Sequence, residues 1–170
     1  FAFSGTVAAL RGQGTFMLAS AGFPTVTLNT LINAGGGTVE YNNSAAFTIP
    51  SSPATYNNLT INTSGAVATR TANLTLNGNL YVKSGTFRIN DDALVAKLTI
   101  TINGNVAVDN GASLTVGNGI TNGAIGGAGG VAPFLTYSLN FHTVIIKGDF
   151  TNPGTVKFTN LQFPLYNAFP

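Results

Sequence analysis

The stretch Leu74-Thr-Leu-Asn-Gly-Asn-Leu80-Tyr-Val-Lys-Ser-Gly85-Thr-Phe-Arg-Ile89 returns in pattern as Leu98-Thr-Ile-Thr-Ile-Asn-Gly-Asn-Val106-Ala-Val-Asp-Asn-Gly111-Ala-Ser-Leu-Thr-Val116. A looser copy runs Val144-Ile-Ile-Lys-Gly-Asp-Phe150-Thr-Asn-Pro-Gly154-Thr-Val-Lys-Phe158. Each copy holds three short runs in which apolar and polar residues alternate, broken at corners of the Asn-Gly type. Period-two alternation places successive side chains on opposite faces of a strand. A unit this small cannot bury its own apolar face, so it must stack on copies of itself.

Three strands per unit of about two dozen residues predict an all-β fold, a right-handed parallel β-helix with about 21–26 residues per coil. Each strand would then pair with its equivalent one turn away, roughly 4.8 Å along the axis. On this reading Leu74, Leu76, Leu80 and Val82 stack on Ile100, Ile102, Val106 and Val108. Asn77 over Asn103 and Asn79 over Asn105 form corner ladders through their carboxamides, and Asn and Gly tolerate the left-handed backbone that corners need. Lys147 and Asp149 replace these asparagines in the third copy, where the ladders are expected to break. The rival is a β-sandwich, which also uses short alternating strands; it has no need of copies that match in phase.

A Gly-Thr phrase recurs at Gly5, Gly14, Gly37, Gly85 and Gly154, with a variant at Gly111. Read as one series, the intervals of 23, 48, 26 and 43 residues from Gly14 onward correspond to one, two, one and two turns. Residues 1–34 read as an irregular N-terminal coil or cap, with strand pieces at Thr25–Leu28 and Leu31-Ile32 and with Phe1, Phe3, Phe16 and Phe23 available to plug an open end. Residues 35–158 read as the repeats, 41–58 being an excursion between strands whose Pro50 and Pro53 belong on a corner or edge. Seven glycines in 117–130 mark a loop, and 159–170 an aromatic, proline-rich cap or linker. No stretch has the three-and-four spacing of an amphipathic helix. The whole reads as one domain, a piece of a longer or processed protein.

Composition narrows the functional classes. Only 7% of the 170 residues are charged, against a usual quarter or so. Polarity comes instead from 23 Thr, 20 Asn and 21 Gly, a mixture suited to strands and turns. Seven basic and five acidic groups are scattered, giving a net charge of +2, and no Lys/Arg cluster exists to neutralise a phosphate backbone. Nucleic acid is therefore not an expected partner. Mean hydropathy is +0.28, yet no run approaches a membrane-spanning length, so membrane insertion is not expected either. The absence of cysteine removes disulfides and thiolate metal sites.

The phrase at 98–116 resembles the repeats of very large secreted surface proteins of Bacteroidetes-type bacteria, and Gly35-Gly-Gly-Thr-Val-Glu-Tyr-Asn with Tyr56-Asn-Asn-Leu-Thr-Ile61 is similar to a second phrase common in them. Residues 35–118 carry the resemblance well, 144–158 in part, and the two ends poorly. It implies an adhesin-like segment exported through a type IX system to the cell surface or beyond.

Carboxylates are limited to Glu40, Asp91, Asp92, Asp109 and Asp149. Asp91-Asp92 reads first as a turn, with calcium binding or acid–base work as the sharper alternative. Convergence of Asp91, Asp92 and Lys97 with Asp109 in one groove, near Lys83 and Arg88, would indicate a β-helical polysaccharide lyase or hydrolase. His142 is the single histidine, so neither a metal site nor a catalytic triad is expected. Gly126-Gly-Ala-Gly-Gly130 lacks the Lys-Ser/Thr of a phosphate loop, and no serine sits in a Gly-x-Ser-x-Gly setting. Thr25/Thr27 and Thr99/Thr101 look like the ranks of ice-binding solenoids, though the third copy interrupts them with Ile145 and Lys147. Tyr41, Tyr56, Tyr81, Tyr137 and Tyr166 would stack on sugar rings if exposed and otherwise pack over corners or end coils. Glycan-acceptor patterns at Asn42, Asn58, Asn62 and Asn73 are expected by composition alone. The expectation is a non-enzymatic structural or adhesive segment with no cofactor, no metal and no catalytic residue. Its partners would be surface glycans or neighbouring copies; a glycan- or ice-binding module is the remaining alternative.

Overall fold

The computed structural model describes residues 5–89, 98–117 and 142–158. Among them are fifteen strands and no helix. The first coil contributes β1 (Thr6–Leu10) and β2 (Thr15–Leu18), the second β3 (Thr25–Asn29), β4 (Thr38–Tyr41) and β5 (Phe47–Ile49). Next come β6 (Thr55–Tyr56) and the long β7 (Asn58–Arg70), then β8 (Leu74–Leu76) and the long β9 (Leu80–Ile89). The last two coils hold β10 (Thr99–Ile102), β11 (Val106–Val108) and β12 (Ser113–Val116), then β13 (Thr143–Ile146), β14 (Phe150–Thr151) and β15 (Thr155–Phe158).

Every strand pairing is parallel and joins a strand to its equivalent one turn away. The first column runs β6-β8-β10-β13, with β1-β3 as a separate pair below it; the second runs β2-β4-β7-β9-β11-β14. The third joins β5, the end of β7, the end of β9, β12 and β15. This is a β-solenoid. A sandwich would need antiparallel neighbours joined by hairpins.

The expected stacking register is the observed one: Leu74 pairs with Ile100, Leu76 with Ile102, Leu80 with Val106 and Val82 with Val108. All eight of these side chains are buried, while the intervening Thr75, Tyr81, Thr101 and Ala107 face outward and stay partly exposed. Alternation along the chain is thus converted into an apolar interior that is continuous along the axis. Turn length varies from 19 residues, Thr6 to Thr25, to 44, Thr99 to Thr143.

Four local expectations need correction. The interval from Gly111 to Gly154 is one turn, because β12 pairs directly with β15. The Gly-Thr phrase is not a single series either. Gly14 and Gly37 precede second-column strands, whereas Gly85 and Gly154 precede third-column ones. Any corner that enters a strand favours a residue without a Cβ followed by a β-branched one, so the phrase recurs at different corners. The excursion at 41–58 contains β5 and β6, and Leu31-Ile32 lies in a loop, with Leu31 nonetheless buried.

The two ends differ. At the N-terminal end Phe23 packs edge-on against Phe16 at 6.1 Å and against Tyr56 at 6.0 Å. In the last described coil Phe150, in register with Val106, is 44% exposed where Val106 is 1%. Phe1, Phe3, Asp91, Asp92, Lys97, the glycines at 119–130, Tyr137, Tyr166 and the 159–170 segment lie outside the described residues.

Candidate functional surface

Corner chemistry sets what this surface is made of. The carboxamide oxygen of Asn58 accepts the backbone N–H of Asn79 at 2.8 Å, Asn79 does the same for Asn105 at 2.8 Å, and Asn105 for Asp149 at 2.9 Å. The ladder therefore continues into the third copy, contrary to expectation. Asp149 takes part through its backbone N–H, which any residue but proline supplies. At the neighbouring corner position Asn77, Asn103 and Lys147 are linked through their backbone: their N–H groups donate to the carbonyls of Tyr56, Leu76 and Ile102. The expected Asn77–Asn103 carboxamide ladder is replaced by these bonds.

A glycine column accompanies the asparagines. A Cβ on Gly78, Gly104 or Gly148 would lie 2.3, 2.4 or 2.2 Å from the carboxamide oxygen of Asn58, Asn79 or Asn105. The Asn-Gly-Asn phrase thus serves two coils at once: the glycine makes room for the asparagine of the preceding coil, and the second asparagine supports the next.

The outward rows are dominated by hydroxyls. Thr55, Thr75 and Thr101 are in register on the first column before Ile145 interrupts them. The third column presents Thr48, Thr69, Arg88 and Lys157 in one row, where Thr115 is buried, and Val67, Thr86, Ser113 and Thr155 in another. On the second column Asn62 donates to Glu40 Oε1 at 2.9 Å and accepts from the Ser84 hydroxyl at 2.8 Å. Tyr81 donates its phenolic O–H to Asp109 Oδ2 at 2.5 Å, and this bond raises the phenol pKa.

The described carboxylates do not form a pair. Glu40 lies within β4 of the second coil, Asp109 follows β11, and Asp149 precedes β14 at a different corner. Among the described residues no group of three or more His, Cys, Asp or Glu could hold a metal ion. Asp91, Asp92 and Lys97 lie outside these residues, so the groove proposed for a lyase is represented here by Asp109, engaged with Tyr81, by the exposed Lys83 and by the half-buried Arg88. A cleft of about 330 Å³ between the 12–13 corner and the 30–36 loop is lined by Gly12, Gln13, Thr30, Asn33, Ala34, Gly35 and Gly36, none of them titratable.

His142 stands at the corner before β13, where its Nδ1 accepts the Leu98 N–H at 3.0 Å, and burial lowers its pKa. Of the tyrosines, Tyr41 and Tyr56 are fully buried, with their hydroxyls 3.3 Å apart, and burial raises both pKa values. Only Tyr81 of the described tyrosines is partly exposed. Three of the glycan-acceptor asparagines, Asn58, Asn62 and Asn73, have their carboxamides committed to stacking contacts.

Sequence reasoning missed Arg70. It is fully buried and in register with Ile49 and Ile89. Its guanidinium donates to the carbonyls of Pro50, of Ser51 at 3.1 Å, of Ala72 at 3.0 Å and of Asn73 at 2.6 Å. It joins the end of one coil's third strand to the same corner one turn later. The signal was an arginine at an inward position of the alternation, visible only once the register was known.

No family model, curated protein or solved structure matches the chain.

Proposed function

We propose that the chain is a non-enzymatic, structural and adhesive β-solenoid segment of an exported bacterial cell-surface protein. It holds a stiff axis and offers uncharged hydrogen-bonding faces to surface glycans. The observation that carries this reading is the division of labour between rows. Apart from Arg70, inward rows are aliphatic and aromatic and, up to the last described coil, largely buried, whereas outward rows repeat Thr and Ser hydroxyls over most turns with few charges. A face of this kind recognises neutral polyols through many weak hydrogen bonds and gains little from steering by charge. Neighbouring copies are the second partner class, because terminal strands of a solenoid carry unpaired backbone groups.

The test is an array of bacterial and host polysaccharides probed with the folded protein, with retained binding remeasured at raised salt. Binding to neutral glycans that changes little with ionic strength is expected. Shortening of the polysaccharide during incubation would replace this reading by that of a lyase or hydrolase. A blank array would remove the glycan role.

A further inference from the structure

Three Asn-Gly pairs lie among the described residues, and the fold treats them differently. In Asn77-Gly78 and Asn103-Gly104 the glycine N–H donates within the stack, to the Asn57 carbonyl at 2.8 Å and to the Gly78 carbonyl at 2.9 Å. The space where each glycine lacks a Cβ is filled by a neighbouring carboxamide at 2.3 and 2.4 Å. Asn110-Gly111 is placed otherwise. It forms the centre of the turn between β11 and β12, closed by the Ala112 N–H donating to the Asp109 carbonyl at 3.0 Å. Both residues are exposed. Gly111 has φ of +82° and open space around it, and among the described residues neither its N–H nor the Asn110 carboxamide has a hydrogen-bond partner.

We propose that Asn110-Gly111 is a site of spontaneous covalent modification through a succinimide, and that stacking protects the other two pairs. The Gly111 amide nitrogen, on losing its proton to solvent base, attacks the Asn110 side-chain carbonyl carbon. The bond from that carbon to the side-chain nitrogen breaks and ammonia leaves. Water then opens the five-membered ring at either carbonyl, giving an aspartyl or an isoaspartyl residue at position 110. A glycine N–H held in a ladder, with a carboxamide packed on its other side, can neither be deprotonated nor approach the side chain until the stack opens locally. The product places a new carboxylate beside Asp109, whose carboxylate already accepts the Tyr81 hydroxyl. The isoaspartyl form also adds a methylene to the turn. Strand β12 is held on both sides, by β9 and β15, so the change stays in the corner.

The test is to age the folded protein in mildly alkaline buffer and follow each Asn-Gly peptide by mass mapping, with isoaspartyl methyltransferase labelling as a second readout. A parallel sample is aged in denaturant, and the peptides covering 118–123 are read separately. Conversion at Asn110 is expected to outpace that at Asn77 and Asn103 by roughly tenfold or more in the folded protein. In denaturant the three should converge, and Asn110→Gln should remove the labelled product from that peptide. Equal rates at the three sites in the folded protein, or no excess at Asn110, would overturn the proposal.

Discussion

Arg70 occupies a position that its column otherwise gives to aliphatic side chains, Ile49 on one side and Ile89 on the other. Burying a guanidinium is costly unless every donor direction is met. Here four backbone carbonyls meet it, and burial lowers its pKa. Lysine carries the same charge on a single ammonium that cannot reach four carbonyls from one position. Arg70→Lys is therefore expected to lower stability by about 2–4 kcal/mol in urea unfolding, because it strands buried acceptors; an unchanged midpoint would mean the arginine is dispensable. His142 gives a second residue-scale expectation. Its folded pKa lies below the ordinary 6.5, so at acidic pH the unfolded chain binds more protons than the folded one. Its contribution is complete above 6.5 and is lost as pH falls below that value, since protonated Nδ1 cannot accept the Leu98 N–H. Unfolding midpoints measured across this range should fall on acidification, and the fall should shrink in His142→Asn, which keeps an acceptor that does not titrate.

At the scale of the element, the corner is the unit that limits variation. Strands in this fold differ in length from two residues in β6 and β14 to thirteen in β7, and the pairing of β7 on β9 shifts between Ile61 and Val67, yet the strand starts that follow the Asn corner stay in register. Register is kept because the Asn ladder and the glycine column repeat at the same corner turn after turn. Gly104 has an ordinary backbone but no room: its missing Cβ would meet Asn79 Oδ1 at 2.4 Å and the Gly78 carbonyl at 2.7 Å. Gly104→Ala should cost about 1–3 kcal/mol, the usual penalty for overfilling a packed site. Combined with Asn79→Ala, which removes the opposing carboxamide, part of that loss should be recovered; strictly additive losses would show that the two columns are not coupled. These partnerships were legible in Asn-Gly-Asn as a repeating phrase. The Gly-Thr phrase was misleading, because it encodes how to enter a strand and not which column the strand joins.

At the scale of the molecule, each coil contacts its neighbours along one axis, so stability is close to a sum of coil and interface contributions. The β7–β9 interface registers over eight residue pairs and includes the Arg70 corner, whereas β14 pairs through two. Amide exchange in the folded protein should be slowest in β7 and β9 and faster in β1 and β13–β15; uniform protection would indicate unfolding in a single step. The chain's own sequence determined the all-β class, the parallel stack and the match of Leu74, Leu76, Leu80 and Val82 with their partners, because alternation and corner chemistry act over a few residues and repeat in phase. Tertiary structure alone decided that the 43-residue interval is one turn, that Tyr41 and Tyr56 are interior, and that Arg70 is a core residue. Each of these depends on which strand lies alongside which, and pairing across a whole turn is fixed by the packing of the coil and not by the identity of any one residue in it.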